Sequence, residues 1–186
     1  MGSDGLIRAV NWLGLAFALT GGGRKLWVTD LGLHSGFMSA PVLDKDNNLY
    51  TAGASRTLLS LDRRGKLRWT LPLAQPVSAF LGSTPEGLIL VPMQGLLLAV
   101  NQDGLIVWAA DLDGFVPSTS PAVSQDGVIH LGTARGELLS IDSQGRLRWT
   151  YERGGRFQAA PVLAQIPTGQ PRLLAANLDG LVVCLE

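Results

Sequence analysis

Few side chains in this sequence have the types and spacing that chemistry requires. His34 and His130 are the only histidines, and they do not form a pair with metal-ligand spacing. His130 takes a strand position that Tyr50 occupies elsewhere, so a structural role is expected for it. Cys184 is the only cysteine, which excludes an intramolecular disulfide and a Cys-rich metal centre. Asp44, Asp46 and Asn48 alternate like oxygen ligands, but the bidentate Glu that would close a calcium loop is missing. Asp111 and Asp113 read as a solvated turn. Gly21-Gly22-Gly23 links two predicted strands and opens no helix, so it is not read as a phosphate cradle. No nucleophile, base and acid fall into a catalytic arrangement. No catalytic, cofactor-binding or metal-binding residue is therefore assigned, and no cofactor is expected.

Composition narrows the classes further. The 186 residues carry 15 basic and 15 acidic side chains, for a net charge of +0. Nucleic-acid binding needs a positive surface, which this balance does not supply. Hydrophobic residues make up 46%, a globular value, and the 23 glycines exceed the usual share of about 7%. The charge-free stretches are too short and too interrupted by Pro, Gly and polar residues to span a membrane. The apolar segment Ala9–Thr20 resembles a signal-peptide core, but Asp4 and the single Arg8 are poor flanks for one.

The elements that must position these residues follow from an internal repeat. Trp27, Trp69, Trp108 and Trp149 close similar phrases at spacings of 42, 39 and 41 residues. Upstream, Leu58–Asp62, Leu97–Asn101 and Leu138–Asp142 are one short strand with an acidic or amide end, and Val182–Glu186 is another copy. Further upstream lie small-residue phrases at Ser39–Val42, Ser78–Leu81, Thr119–Ala122 and Ala159–Val162. Turn chemistry such as Asp126-Gly127 separates the runs, and no helical periodicity interrupts them. Each unit therefore reads as four short antiparallel strands, A to D, and the fold class is all-β. Four strands in a unit of about 41 residues is one blade of a β-propeller. Sliding by one repeat makes residues 5–20 strands B and C of a first blade, which displaces the signal-peptide reading.

The expected units are a partial blade B-C-D at 5–36, blades at 37–75, 76–115 and 116–156, and a partial blade A-B-C at 157–186. That is about 4.5 repeats, probing the lower limit of the 4–8 blades with which propellers close. Three arrangements fit: a segment of a longer propeller, closure of the chain alone, or two chains in one ring. The segment is favoured. An uncapped array exposes a flat apolar face, so self-association through the unfinished blades is expected.

Within a blade, the four Trp rings are expected to pack between neighbouring blades. Alternating cations on strand D, Lys66 and Arg68, then Arg146 and Arg148, read as protection of an exposed edge. Leu105-Ile106-Val107 breaks this pattern and leaves an apolar edge. Phe37, Pro76, Pro117 and Phe157 precede strand A. They are expected to ring the channel mouth, either as packing or as a rim for a protein partner or small ligand.

The repeat resembles the PQQ-like, quinoprotein-type β-propeller family. The matching phrases are Ser120-Pro121-Ala122-Val123, Asp126–His130, Gly132, Leu139–Asp142 and Gly145–Trp149, with further copies at Asn47–Gly53 and Leu61–Trp69. Some members of that family are dehydrogenases with a quinone and Ca²⁺ in the channel, often above adjacent cysteines. One cysteine cannot reproduce that feature. Other members only bind, and the repeat style is closer to the non-enzymatic propeller of the outer-membrane β-barrel assembly machinery. The resemblance thus implies a non-catalytic binding scaffold in an extracytoplasmic compartment. A fragment of a quinone-dependent dehydrogenase and the sensor portion of a larger receptor are the alternatives.

Overall fold

The computed structural model describes residues 2–32, 39–152, 154–164 and 172–185. Of the residues singled out above, His34 and Phe37 lie outside these segments. Eighteen strands form five antiparallel sheets in chain order, with no helix among the described residues. The first sheet holds β1 (Ile7–Val10), β2 (Leu15–Leu19) and β3 (Lys25–Asp30). The second holds β4 (Val42–Leu43), β5 (Leu49–Ala52), β6 (Thr57–Leu61) and β7 (Leu67–Pro72). The third holds β8 (Gly82–Ser83), β9 (Ile89–Met93), β10 (Leu96–Val100) and β11 (Ile106–Asp111). The fourth holds β12 (Ala122–Val123), β13 (Ile129–Gly132), β14 (Glu137–Ile141) and β15 (Leu147–Glu152). The fifth holds β16 (Val162–Ala164), β17 (Arg172–Ala176) and β18 (Val182–Leu185). The fold is a partial β-propeller: the first and fifth sheets remain separate and no described strand pairing closes the ring. The segment that resembled a signal peptide is β1 and β2.

Turn chemistry explains why the strands end where they do. Asp62 Oδ1 accepts from the N–H groups of Arg64 and Lys66, and Asn101 and Asp142 do the same in the next two sheets. The acidic or amide residue at each strand end is thus a cap that closes the turn by hydrogen bonding to it. A bulge follows in every such hairpin, for example between Ser60 and Leu61, and twists the outer strand.

The core lies between sheets, not within one. Tyr50, Ala52 and Leu58 of the second sheet pack on Ile89, Val91 and Leu98 of the third. Leu90, Leu97 and Ala99 of the third pack on Ile129, Leu131 and Leu139 of the fourth. Buried apolar area of this kind supplies about 25 cal/mol per Å², so each internal interface is a large share of the stability.

The Trp rings lock these interfaces. Trp27 Nε1 donates to the carbonyl of Arg63 at 3.1 Å, Trp69 Nε1 to that of Gln102 at 2.8 Å, and Trp108 Nε1 to that of Ser143 at 3.1 Å. Each indole therefore reaches from one sheet onto the turn of the next. It lies over a glycine with positive φ: a Cβ at Gly104 (φ +84°) would sit 2.9 Å from Trp69. Trp149 packs with Leu138, Phe157 and Ala175, its ring 5.7 Å from that of His130.

Candidate functional site

Strand A begins with an isolated bridge onto strand B in three sheets: Val77 to Met93, Pro117 to Thr133 and Phe157 to Asn177. These residues hold one structural position, which puts Pro76 one residue before it. The sequence comparison slips here because Leu81 stands where Pro41, Pro121 and Pro161 mark the other repeats. The bridge also decides what the position does. Val77 and Phe157 are 6% and 0% exposed, and Pro117 is buried, because the bridge folds them over the end of strand B. Pro76 is exposed. Pro117 and Phe157 are thus buried in the packing at the end of strand B.

The residues just after the bridge face outward instead. Ser78, Phe80, Ser118, Ser120, Gln158 and Ala160 occupy alternate positions at the start of three successive A strands. With Ala79, Ala159 and Arg156 they line a hollow of about 570 Å³. Innermost strands β8, β12 and β16 approach one another here, so the hollow belongs to the inner side of the arc. Phe80 is 48% exposed. Ser78 Oγ is buried without a hydrogen-bond partner, whereas Ser118 Oγ donates to the Phe157 carbonyl. Arg156 contributes the one formal charge of the lining. Ser78, Phe80, Ser120 and Ala160 sit inside the small-residue phrases, with Ser118 and Gln158 just before them, and their period-2 alternation was the available sequence signal.

A quinone with Ca²⁺ does not fit this lining. Ca²⁺ takes 6–8 oxygen ligands, usually with carboxylates among them, and the hollow presents none. The Asp44–Asn48 turn is no better suited. Asp44 Oδ1 accepts from Asp46 and Asn48 N–H, and Oδ2 accepts from Asn48 Nδ2 and the Tyr50 hydroxyl. The carboxylate is already used by its own turn.

A second polar constellation lies inside the sheets. Arg68 Nη1 donates to Tyr50 Oη at 3.0 Å and to Ser60 Oγ at 3.1 Å. Arg68 is therefore turned across its own sheet, and guarding the outer edge is not its main contact. Burial, with the hydrogen bond to Asp44, pushes the Tyr50 hydroxyl up to about 12. The fourth sheet has His130, Ser140 and Arg148 in the same register. Burial, then the Arg148 charge, pushes His130 down to about 4, against an opposing pull from Asp126. His130 Nδ1 and Ser140 Oγ are buried without partners among the described residues. A neutral imidazole with one orphan nitrogen is a packing group here, beside Trp149. The third sheet has Leu90, Ala99 and Val107 at these positions. An arginine at 107 would find no acceptor there, which accounts for the apolar edge.

Among curated proteins none matches the chain by sequence. Solved structures do match it. The crystal structure of BamB from Moraxella catarrhalis aligns with a TM-score of 0.78 at 19% identity, covering 96% of this chain and 54% of that one. The computationally designed Ika8 protein aligns at 0.79 and 17% identity, covering 99% and 56%. Quinohemoprotein alcohol dehydrogenase from Comamonas testosteroni aligns at 0.73 and 14% identity, covering 94% and 38%. The chain thus spans about half the length of the first two. Identities this low speak for the fold alone. The sequence profile of one family matches residues 4–186, nearly the whole chain, and with the five blade-like sheets it places the protein in the family described as outer membrane protein assembly factor BamB.

Proposed function

We propose that the protein is a non-catalytic binding scaffold that takes a protein partner on the inner side of the arc, at the hollow around Phe80 and Arg156. The observation that supports this is a lining shared by three successive repeats, which brings together the half-exposed ring of Phe80, the Arg156 cation and the polar Ser120 and Gln158. Such a surface suits a protein segment: the ring offers contact area, the guanidinium orients an acidic group, and the exposed Gln158 amide adds a hydrogen-bonding group. The family supports an extracytoplasmic setting in outer membrane protein assembly. No helix among the described residues is long and apolar enough to cross a membrane.

A photo-crosslinker placed at Phe80 should capture a discrete envelope protein, while one at Arg64, on a remote outer turn, should not. Equal capture at both positions, or none at Phe80, would remove the reading. The likeness to a quinohemoprotein dehydrogenase favours a second reading, in which the chain contributes to a quinone enzyme. Titration with the quinone and Ca²⁺ distinguishes the two: saturable binding would favour the enzyme, and none is expected from the lining of the hollow.

A further inference from the structure

The net charge of +0 conceals an uneven distribution. Residues 69–134 hold five of the 15 acidic side chains and none of the 15 basic ones. The third sheet lies inside this stretch. Its outermost strand, β11, pairs with β10 alone, so one row of its backbone N–H and C=O groups faces no strand among the described residues. In the other sheets with a described outer strand, the residue after the hairpin glycine is Arg24, Lys66 or Arg146; here it is Leu105. All three cations are exposed, so the lack of an internal acceptor, which accounts for Val107, does not account for Leu105. Leu105, Ile106 and Val107 are 65%, 50% and 53% exposed. Acidic residues bracket them: Asp103 precedes the strand, Asp111 ends it and Asp113 follows. All three are exposed, and the ion pairs among the described residues, Arg8–Asp4 and Arg146–Asp142, lie elsewhere.

We infer that β11 is a docking edge for an extended segment of a protein partner in which basic residues flank a short apolar run. The open backbone row calls for an extended strand, which can hydrogen-bond along the edge. The apolar residues at 105–107 select apolar side chains opposite them, and the carboxylates at both ends select cations beyond. The same charges disfavour other occupants. A second β11, laid in either direction, would set carboxylate against carboxylate, and an anionic lipid surface would be repelled. β11 and β8 lie at opposite edges of the third sheet, so this edge is separate from the hollow around Phe80. Additional blades would extend the ring beside the first and fifth sheets and leave this edge as it is.

Fluorescence anisotropy with the labelled peptide Lys-Lys-Val-Thr-Val-Thr-Val-Lys-Lys tests this. Binding should saturate, and it should weaken several-fold as salt is raised. The same peptide with Glu in place of each Lys, or N-methylated at every Val and Thr, should not bind. Leu105→Lys, which restores the cation that β7 and β15 carry at their start, should weaken binding at least several-fold. In hydrogen exchange, saturating peptide should protect amides of β11 and leave those of β7 and β15 unchanged, a readout that needs no variant to fold. No saturable binding, equal binding of the Glu or the methylated peptide, unaltered binding by Leu105→Lys, or protection away from β11 would each overturn the inference. So would a sedimentation mass that rises with concentration for the wild type and not for Leu105→Lys, because the edge would then pair with a second copy.

Discussion

At the level of single residues, the sheets show one position set filled in two self-consistent ways. Tyr50, Ser60 and Arg68 form a hydrogen-bonded group, and Leu90, Ala99 and Val107 form an apolar one in the same register. A buried polar group costs about 1–3 kcal/mol when its partner is removed, whereas replacing the whole group can be nearly neutral. Tyr50→Leu, Ser60→Ala and Arg68→Val should each destabilise by about 1–3 kcal/mol in urea unfolding. The triple variant should lose at least ~1 kcal/mol less than their sum. Strict additivity would show that the three do not act together. The sequence made Arg68 look like an edge guard because period-2 alternation places it outward. Its long side chain turns back to Tyr50, which a strand pattern does not encode.

His130 extends the same logic to pH. Its folded value, about 4, lies below the ordinary 6.5, so the unfolded chain takes up the proton first. The associated stability is fully present above pH 6.5, declines as pH falls, and is spent near pH 4. Asp4, held down to about 2 by Arg8, acts in a separate window, below the ordinary 3.8. The urea midpoint of the wild type should therefore fall between pH 6.5 and 4. His130→Leu, with the residue found at 90 and 174, should flatten that part of the profile. An unchanged slope would mean that the imidazole is not desolvated as the structure shows.

At the level of the element, the hairpin turn between the third and fourth strands of a blade is also the receptor for a neighbour's indole. Gly104 and Gly23 hold the same turn position with φ of +84° and +82°. A Cβ at Gly104 meets Trp69, while a Cβ at Gly23 meets nothing within 4 Å. Both alanine variants incur the left-handed backbone cost of about 1–2 kcal/mol. Gly104→Ala should lose roughly 1–3 kcal/mol more, because overpacking displaces Trp69 from the Gln102 carbonyl. Equal losses in thermal or urea unfolding would exclude the indole contact as a stabilising feature. The Gly-x-x-x-Trp phrase was plain in the sequence. That the Trp of one phrase covers the Gly of the next was not, because repeat periodicity aligns units without saying how they touch. The same limit explains the mouth residues. The phrases at 78 and 119 marked strand A, yet the bridges at Val77 and Pro117, which bury those residues, are tertiary pairings.

For the molecule as a whole, stability is distributed as in other repeat arrays, as a sum over neighbours. An internal sheet is held by two interfaces and an end sheet by one. Leu97 and Val182 test the difference, since they occupy one register position in an internal and an end sheet. Leu97→Ala should cost about 2–5 kcal/mol, the range for a fully buried leucine. Val182→Ala, at a residue 69% exposed, should change stability by less than about 0.5 kcal/mol. Native-state hydrogen exchange should show the same gradient. Amides of β9, β10, β13 and β14 should exchange only by global opening. Those of β1 and β18, each at an unpaired sheet edge with one face bare, should exchange first. Uniform protection would mean that the array unfolds as one cooperative unit and that its ends are not weak points.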